Sequence, residues 1–140
     1  MAALSKNRKT SDRFPALRQV ESAAKIYTGA LVARNSAGKA VPASDTAGLT
    51  VVGRAELTAE SGKMVTVKIG CFLYENSTGA AVTAVEVGKV CYVADDQTVA
   101  KTGGTNSIVA GLVYDIDKKG VWVLVGTQPI TVNITQQAAG

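Results

Sequence analysis

Short runs of β-branched residues, each ended by a glycine-bearing turn cluster, constrain this 140-residue chain more than any other feature of its sequence. Branching at Cβ stiffens χ1 and suits a pleated surface better than a helix. The chain holds 19 Val and 14 Thr, and its 14 Gly are spread along the length. Runs at 26–33, 49–57, 64–74, 89–94, 108–115 and 121–125 read as strands, with shorter ones at 39–41 and 97–101. Turn clusters separate them, among them Asn35-Ser36-Ala37-Gly38, Ser61-Gly62, residues 75–79 and Asp117-Lys118-Lys119-Gly120. Gly53 inside the 49–57 run marks a candidate bulge. Residues 130–135 alternate strictly between apolar and polar after Pro129. Seven to nine strands spaced by about 8–12 residues predict an all-β fold, a small antiparallel β-barrel or β-sandwich. Aromatic residues are only 5% of the chain, so Val, Ile, Leu and Ala must build the core.

Charge divides the chain differently. Residues 1–25 carry six basic side chains (Lys6, Arg8, Lys9, Arg13, Arg18, Lys25) against Asp12 and Glu21, a balance of +4. Residues 26–140 carry nine basic and nine acidic side chains and are neutral. The predicted organisation is a basic N-terminal arm (1–25), a β body (26–127) and a C-terminal strand and tail (128–140). Pro15 breaks the arm, and Val20 between Gln19 and Glu21 favours an extended conformation there. Asp12, Glu21 and Pro15 oppose an amphipathic transit helix, and no apolar stretch follows the basic residues as in a secretory signal. No run reaches the roughly 18–20 apolar residues of a spanning helix.

The chain has no histidine, which removes imidazole acid–base catalysis, Ser-His-Asp triads and His-ligated metals. The other motifs read as structure. Asp115-Ile116-Asp117 opens like a calcium loop, but Lys119 stands where an oxygen ligand belongs. Asp95-Asp96 reads as a solvated strand end, because neighbours on a strand face opposite sides. Asn35 to Lys39 lacks the first glycine and the hydroxyl residue of a phosphate loop. Asn76-Ser77-Thr78 and Asn133-Ile134-Thr135 fit a glycosylation pattern that needs a secretory route. Cys71 and Cys91 are too few for a disulfide framework and read as buried free thiols. Trp122 reads as a core anchor. The chain is expected to be no enzyme and to hold no metal or cofactor.

Several blocks, in order, resemble the capsid decoration (cement) proteins of tailed bacteriophages. They are Ile26-Tyr27-Thr28-Gly29-Ala30-Leu31-Val32, Gly48-Leu49-Thr50-Val51-Val52-Gly53-Arg54-Ala55-Glu56, Gly88-Lys89-Val90-Cys91-Tyr92-Val93-Ala94-Asp95-Asp96 and Ala110-Gly111-Leu112-Val113-Tyr114-Asp115. Asn35 to Ala43, Val65-Thr66-Val67, Gly70-Cys71-Phe72, Gly120-Val121-Trp122-Val123 and the opening Met1-Ala2-Ala3-Leu4 also fit. The resemblance covers roughly residues 1–125. It implies a β-rich protein, often trimeric, made in the bacterial cytoplasm and bound to the virion exterior, where it bridges major capsid protein subunits. On that reading Lys6, Arg8, Lys9, Arg13 and Arg18 make polar contacts with the shell, and Phe14 and Leu17 anchor the arm. No membrane or direct nucleic-acid partner is expected. The rival is a nucleic-acid-binding β-barrel module with a basic arm, which would bind with a steep salt dependence.

Overall fold

The computed structural model describes residues 2–11 and 17–126. It is all-β, with ten strands among the described residues. The first five are β1 (Leu17–Glu21), β2 (Leu31–Arg34), β3 (Ala40–Pro42), β4 (Thr50–Ala55) and β5 (Met64–Lys68). They form one sheet in the order β1-β5-β4-β2-β3, antiparallel throughout. The last five are β6 (Gly70–Asn76), β7 (Val90–Val93), β8 (Thr98–Ala100), β9 (Val109–Asp117) and β10 (Gly120–Val125). They close a barrel in the order β10-β6-β8-β7-β9. The body is therefore a sheet and a barrel, each built from one contiguous half of the sequence.

The halves meet at Ile69, and this corrects the single strand expected over 64–74. β5 pairs with β1 and β4 up to Lys68, and β6 pairs with β10 from Gly70. The chain leaves one sheet and enters the other within one residue. The barrel also departs from a purely antiparallel expectation. Glu75 and Asn76 run parallel to Thr98 and Val99, because the intervening 77–97 segment crosses over before β8 lands beside β6. Part of that segment is a short 3-10 turn at Ala84–Glu86, held by Glu86 accepting from the Thr83 backbone and hydroxyl.

Alternation assigns each strand's two faces. In β2, Val32 points into the first sheet's own cluster with Val20, Ile26, Val52, Val65 and Val67. Its neighbours Leu31 and Ala33 point the other way, into the barrel core with Phe72, Val93, Val113, Val121 and Val123. Ala43 and Val51 join them. Strand period 2 thus lets one sheet serve two cores. The expected bulge at Gly53 is present: Val32 faces Gly53, while Ala33 faces Val51, so β4 carries one extra residue.

Hydrogen bonds tie the halves together beyond packing, and Arg54 of β4 lies over the Phe72 ring of β6 at 3.9 Å. Leu31 donates its amide to the Asp96 carbonyl at 2.8 Å. Asp45, in the loop between β3 and β4, accepts from the Thr105 and Asn106 amides, each at 2.8 Å, and its carbonyl accepts from the Asn106 side chain. Those two amides hold the Asp45 carboxyl below its ordinary value of 3.8. The turn readings for Asn35 and Asp117 also agree with the structure: the Asn35 side chain accepts from Ala37 and Lys39, and that of Asp117 from Lys119.

Gly111 is the tightest passage in the barrel. A β-carbon there would fall on the Leu124 carbonyl oxygen and within 2.9 Å of Val123 Cγ1. Gly111→Ala is expected to lose about 1–3 kcal/mol through overpacking, read as a thermal midpoint lowered by several degrees. Gly79→Ala, with nothing within 4 Å of its β-carbon, should leave the midpoint unchanged. Asp45→Ala should lower the midpoint at pH 7. Because the folded carboxyl titrates below its unfolded value, its contribution is present above pH 3.8 and fades as pH falls through the lower folded value. Melting curves from pH 7 down to pH 2.5 should therefore show wild type and variant converging at the acid end.

Candidate functional site

The arm has two parts in the structure. Residues 2–11 carry no regular element and are exposed at every position, so Lys6, Arg8 and Lys9 stand in water and Leu4 is 73% accessible. Arg13 and Phe14 lie outside the described residues. Leu17 and Arg18 sit on β1, which stands at the end of the first sheet with its residues opposite Lys68 and Val67 of β5. With Gln19 and Thr66 they line a shallow groove. The extended reading around Val20 agrees with the structure: Val20 is buried opposite Val65, while Leu17, Arg18, Gln19 and Glu21 are exposed. Residues 17–25, grouped with the arm by charge, are thus built into the first sheet.

The root of the arm is fixed by a residue that the charge pattern does not reveal. Ser22 is 2% exposed, the one buried polar residue among those described. Its hydroxyl lies 2.8 Å from both the Glu60 and Lys63 carbonyl oxygens. Its amide donates to the Lys63 carbonyl, and its own carbonyl accepts from Gly62. The next residue, Ala23, donates to Ala40 of β3, and Ser22 forms a parallel bridge with Ala40. This bridge joins the two end strands of the first sheet. Around it, Lys39 pairs with Glu21, and Lys25 lies 3.5 Å from Glu60 and 5.0 Å from the Tyr27 ring centroid. A buried Ser followed by Ala-Ala has no sequence signature that separates it from a surface turn. Its partners, about 40 residues away, become visible only in the fold.

Residues 2–11 offer three exposed cations and an exposed apolar side chain, Leu4. Exposed side chains of this kind bind weakly one by one, at about 0.2–1 kcal/mol per ion pair. The first sheet neutralises its own acidic neighbours here, since Glu21 and Glu60 each hold a lysine. Lys6, Arg8 and Lys9 are exposed to solvent.

The remaining sequence candidates resolve individually. Asp95 accepts from the Gln97 amide as a turn residue, and burial and Asp95 together raise Asp96 above its ordinary value. The Asn76 side chain donates to the Val82 carbonyl and accepts from the Val82 amide, so it organises its own loop. Both cysteines are free. Cys91 is buried, and desolvation pushes its thiol up to about 12. Cys71 corrects the expectation of two buried thiols: it is exposed on the outer side of β6, because Phe72 and Tyr74 take the inward positions. Trp122 corrects another. It is half-buried outside the core cluster, with its indole donating to Asp117 at 2.9 Å, since Val121 and Val123 occupy the inward positions of β10. Among the described residues no group of three or more His, Cys, Asp and Glu could hold a metal, and no helix is long and apolar enough to cross a membrane. Comparison with protein-family models, curated proteins and solved structures finds no match.

Ser22→Ala removes the buried hydroxyl that meets two carbonyls and is expected to cost about 1–2 kcal/mol in denaturant unfolding. Amide exchange should accelerate first in β1, before the barrel strands, because the lost contacts lie at the arm's root.

Proposed function

We propose that this protein is a capsid decoration (cement) protein of the tailed-bacteriophage type. It binds the exterior of a head shell and reinforces the shell by bridging major capsid protein subunits, with copies clustered as trimers. The observation that carries the reading is the division between a neutral β body and an exposed basic segment, residues 2–11, that precedes it in the sequence. The ordered resemblance of the sequence blocks supplies the identity of the target.

Cementing requires a rigid body and a strap that reaches across a joint. Residues 2–11 can extend about 33 Å at ~3.3 Å per residue, enough to cross from one subunit to the next. Lys6, Arg8 and Lys9 then set register and speed encounter, while Leu4 and Leu17 give apolar purchase. A handful of weak contacts suffices when one copy engages several subunits at once, because each contact raises the effective concentration of the next.

The test is occupancy on particles stripped of this protein. Lys6→Ala/Arg8→Ala/Lys9→Ala should weaken binding by about 3- to 150-fold, the sum of three exposed ion pairs, and deletion of residues 2–11 should weaken it further. Full occupancy by the deletion variant contradicts the arm's role. Tight, salt-sensitive binding to DNA or RNA fragments, with no binding to shells, would instead select the nucleic-acid module.

A further inference from the structure

A cleft opens where the two halves of the molecule adjoin. Tyr27, Thr28, Gly29 and Ala30, which lead into β2, form one side, and Asp96 with Gln97, between β7 and β8, forms the other. Its volume is about 290 Å³. Sites that enclose a whole small molecule span ~300–1,000 Å³, so this one suits a single side chain. Backbone hydrogen bonds fix both sides. Gly29 donates to the Ala55 carbonyl, Ala30 to that of Tyr27, and the Leu31 amide reaches across to the Asp96 carbonyl at 2.8 Å. The Gln97 carbonyl accepts from Glu75, and its amide donates to the Asp95 carboxylate. The cleft therefore has its shape before anything enters it, which spares a ligand the work of ordering it.

Two features of the lining select a cation. Tyr27 is 62% exposed, a large aromatic left in water, and an aromatic face attracts positive charge. The ring already draws one cation: Lys25 lies 5.0 Å from its centroid, is itself neutralised by Glu60, and stands outside the lining of the cleft. Opposite the ring, Asp96 is half-buried beside exposed Asp95. Among the described residues neither of these two carboxylates has an ion-pair partner. Burial, and then the Asp95 charge, raise the Asp96 carboxyl above its ordinary value of 3.8, a penalty that an incoming positive charge offsets. A guanidinium fits this pairing best, because it is planar, stacks on an aromatic face and aims two parallel donors at a carboxylate. Free arginine fits less well than an arginine within a protein. The lining has no cationic side chain to meet an α-carboxylate, and Asp95 and Asp96 repel one.

We propose that this cleft is a docking pocket for an arginine side chain presented by a partner protein, with the guanidinium stacked on Tyr27 and paired with Asp96. The assignment stands independently of shell binding.

The experiment titrates the isotope-labelled full chain, followed by amide NMR, with acetyl-arginine amide and separately with acetyl-citrulline amide, its uncharged isostere. The arginine form should shift the amides of Gly29, Ala30 and Gln97 with a dissociation constant of about 1 mM, the scale for a ligand of its size. Gly111, in the barrel, should not move. The citrulline form should bind at least about fivefold more weakly. Asp96→Asn keeps the backbone carbonyl that receives the Leu31 amide and should weaken arginine binding at least about fivefold. Tyr27→Ala, which removes an exposed ring, should weaken it by about two- to fivefold. Variant spectra that match the parent away from the cleft report an intact body. Equal binding of the arginine and citrulline forms, no shift at the cleft up to about 10 mM, or unchanged binding in both variants overturns the proposal. Tighter binding of free arginine than of the capped form also overturns it, because the ligand would then be a metabolite.

Discussion

The sharing of one apolar core between two sheets is the constraint on which the rest of this molecule depends. Leu31, Ala33, Ala43 and Val51 leave the first sheet's own cluster and enter the core of the barrel. Full burial of a Leu or Val contributes about 1.5–3 kcal/mol, so Leu31 and Val51 alone match a large share of a typical net stability of about 5–15 kcal/mol. Phe72 and Tyr74 are the only aromatic side chains in that cluster, and the remainder is mostly Val and Ala. Small, stiff side chains bring backbones close together, which is why Gly111 has no room for a methyl group beneath Leu124. The same shared core makes the two sequence halves one body, joined covalently at Ile69 and braced by Asp45 across the loops.

A body closed in this way has few sheet edges to manage. The barrel has none, and the first sheet's two end strands meet at the bridge of Ser22 with Ala40. Closure restrains a Val-rich chain from edge-to-edge aggregation. Residues 2–11, exposed and cationic, lie outside both sheets, and on our proposal they grip a shell.

Much of the fold was legible in the sequence because turn chemistry is local. Asn35 and Asp117 read as turn residues and act as such, and Gly53 marked the bulge where the β2–β4 register slips. The extended conformation around Val20 followed from polar neighbours on both sides. Where both faces of a strand are apolar, alternation carries no sign. In Val121-Trp122-Val123-Leu124-Val125 either face reads as the inner one, and the large ring reads as core although the valines fill it. Cys71 within Gly70-Cys71-Phe72-Leu73 reads as buried for the same reason, although Phe72 points inward. The passage between sheets at Ile69 was invisible because both sides of it are strand. Of the arm, the charge was legible and the root was not, as Ser22 is defined by carbonyls at Glu60 and Lys63.

The most direct measurement is a cryo-electron reconstruction of the decorated particle at side-chain resolution. The account predicts the β body on the outer surface of the shell, with residues 2–11 extended over a joint and Lys6, Arg8 and Lys9 against two capsid subunits. A body seated on the shell while residues 2–11 point into solvent, or a body found inside the head against nucleic acid, would contradict it.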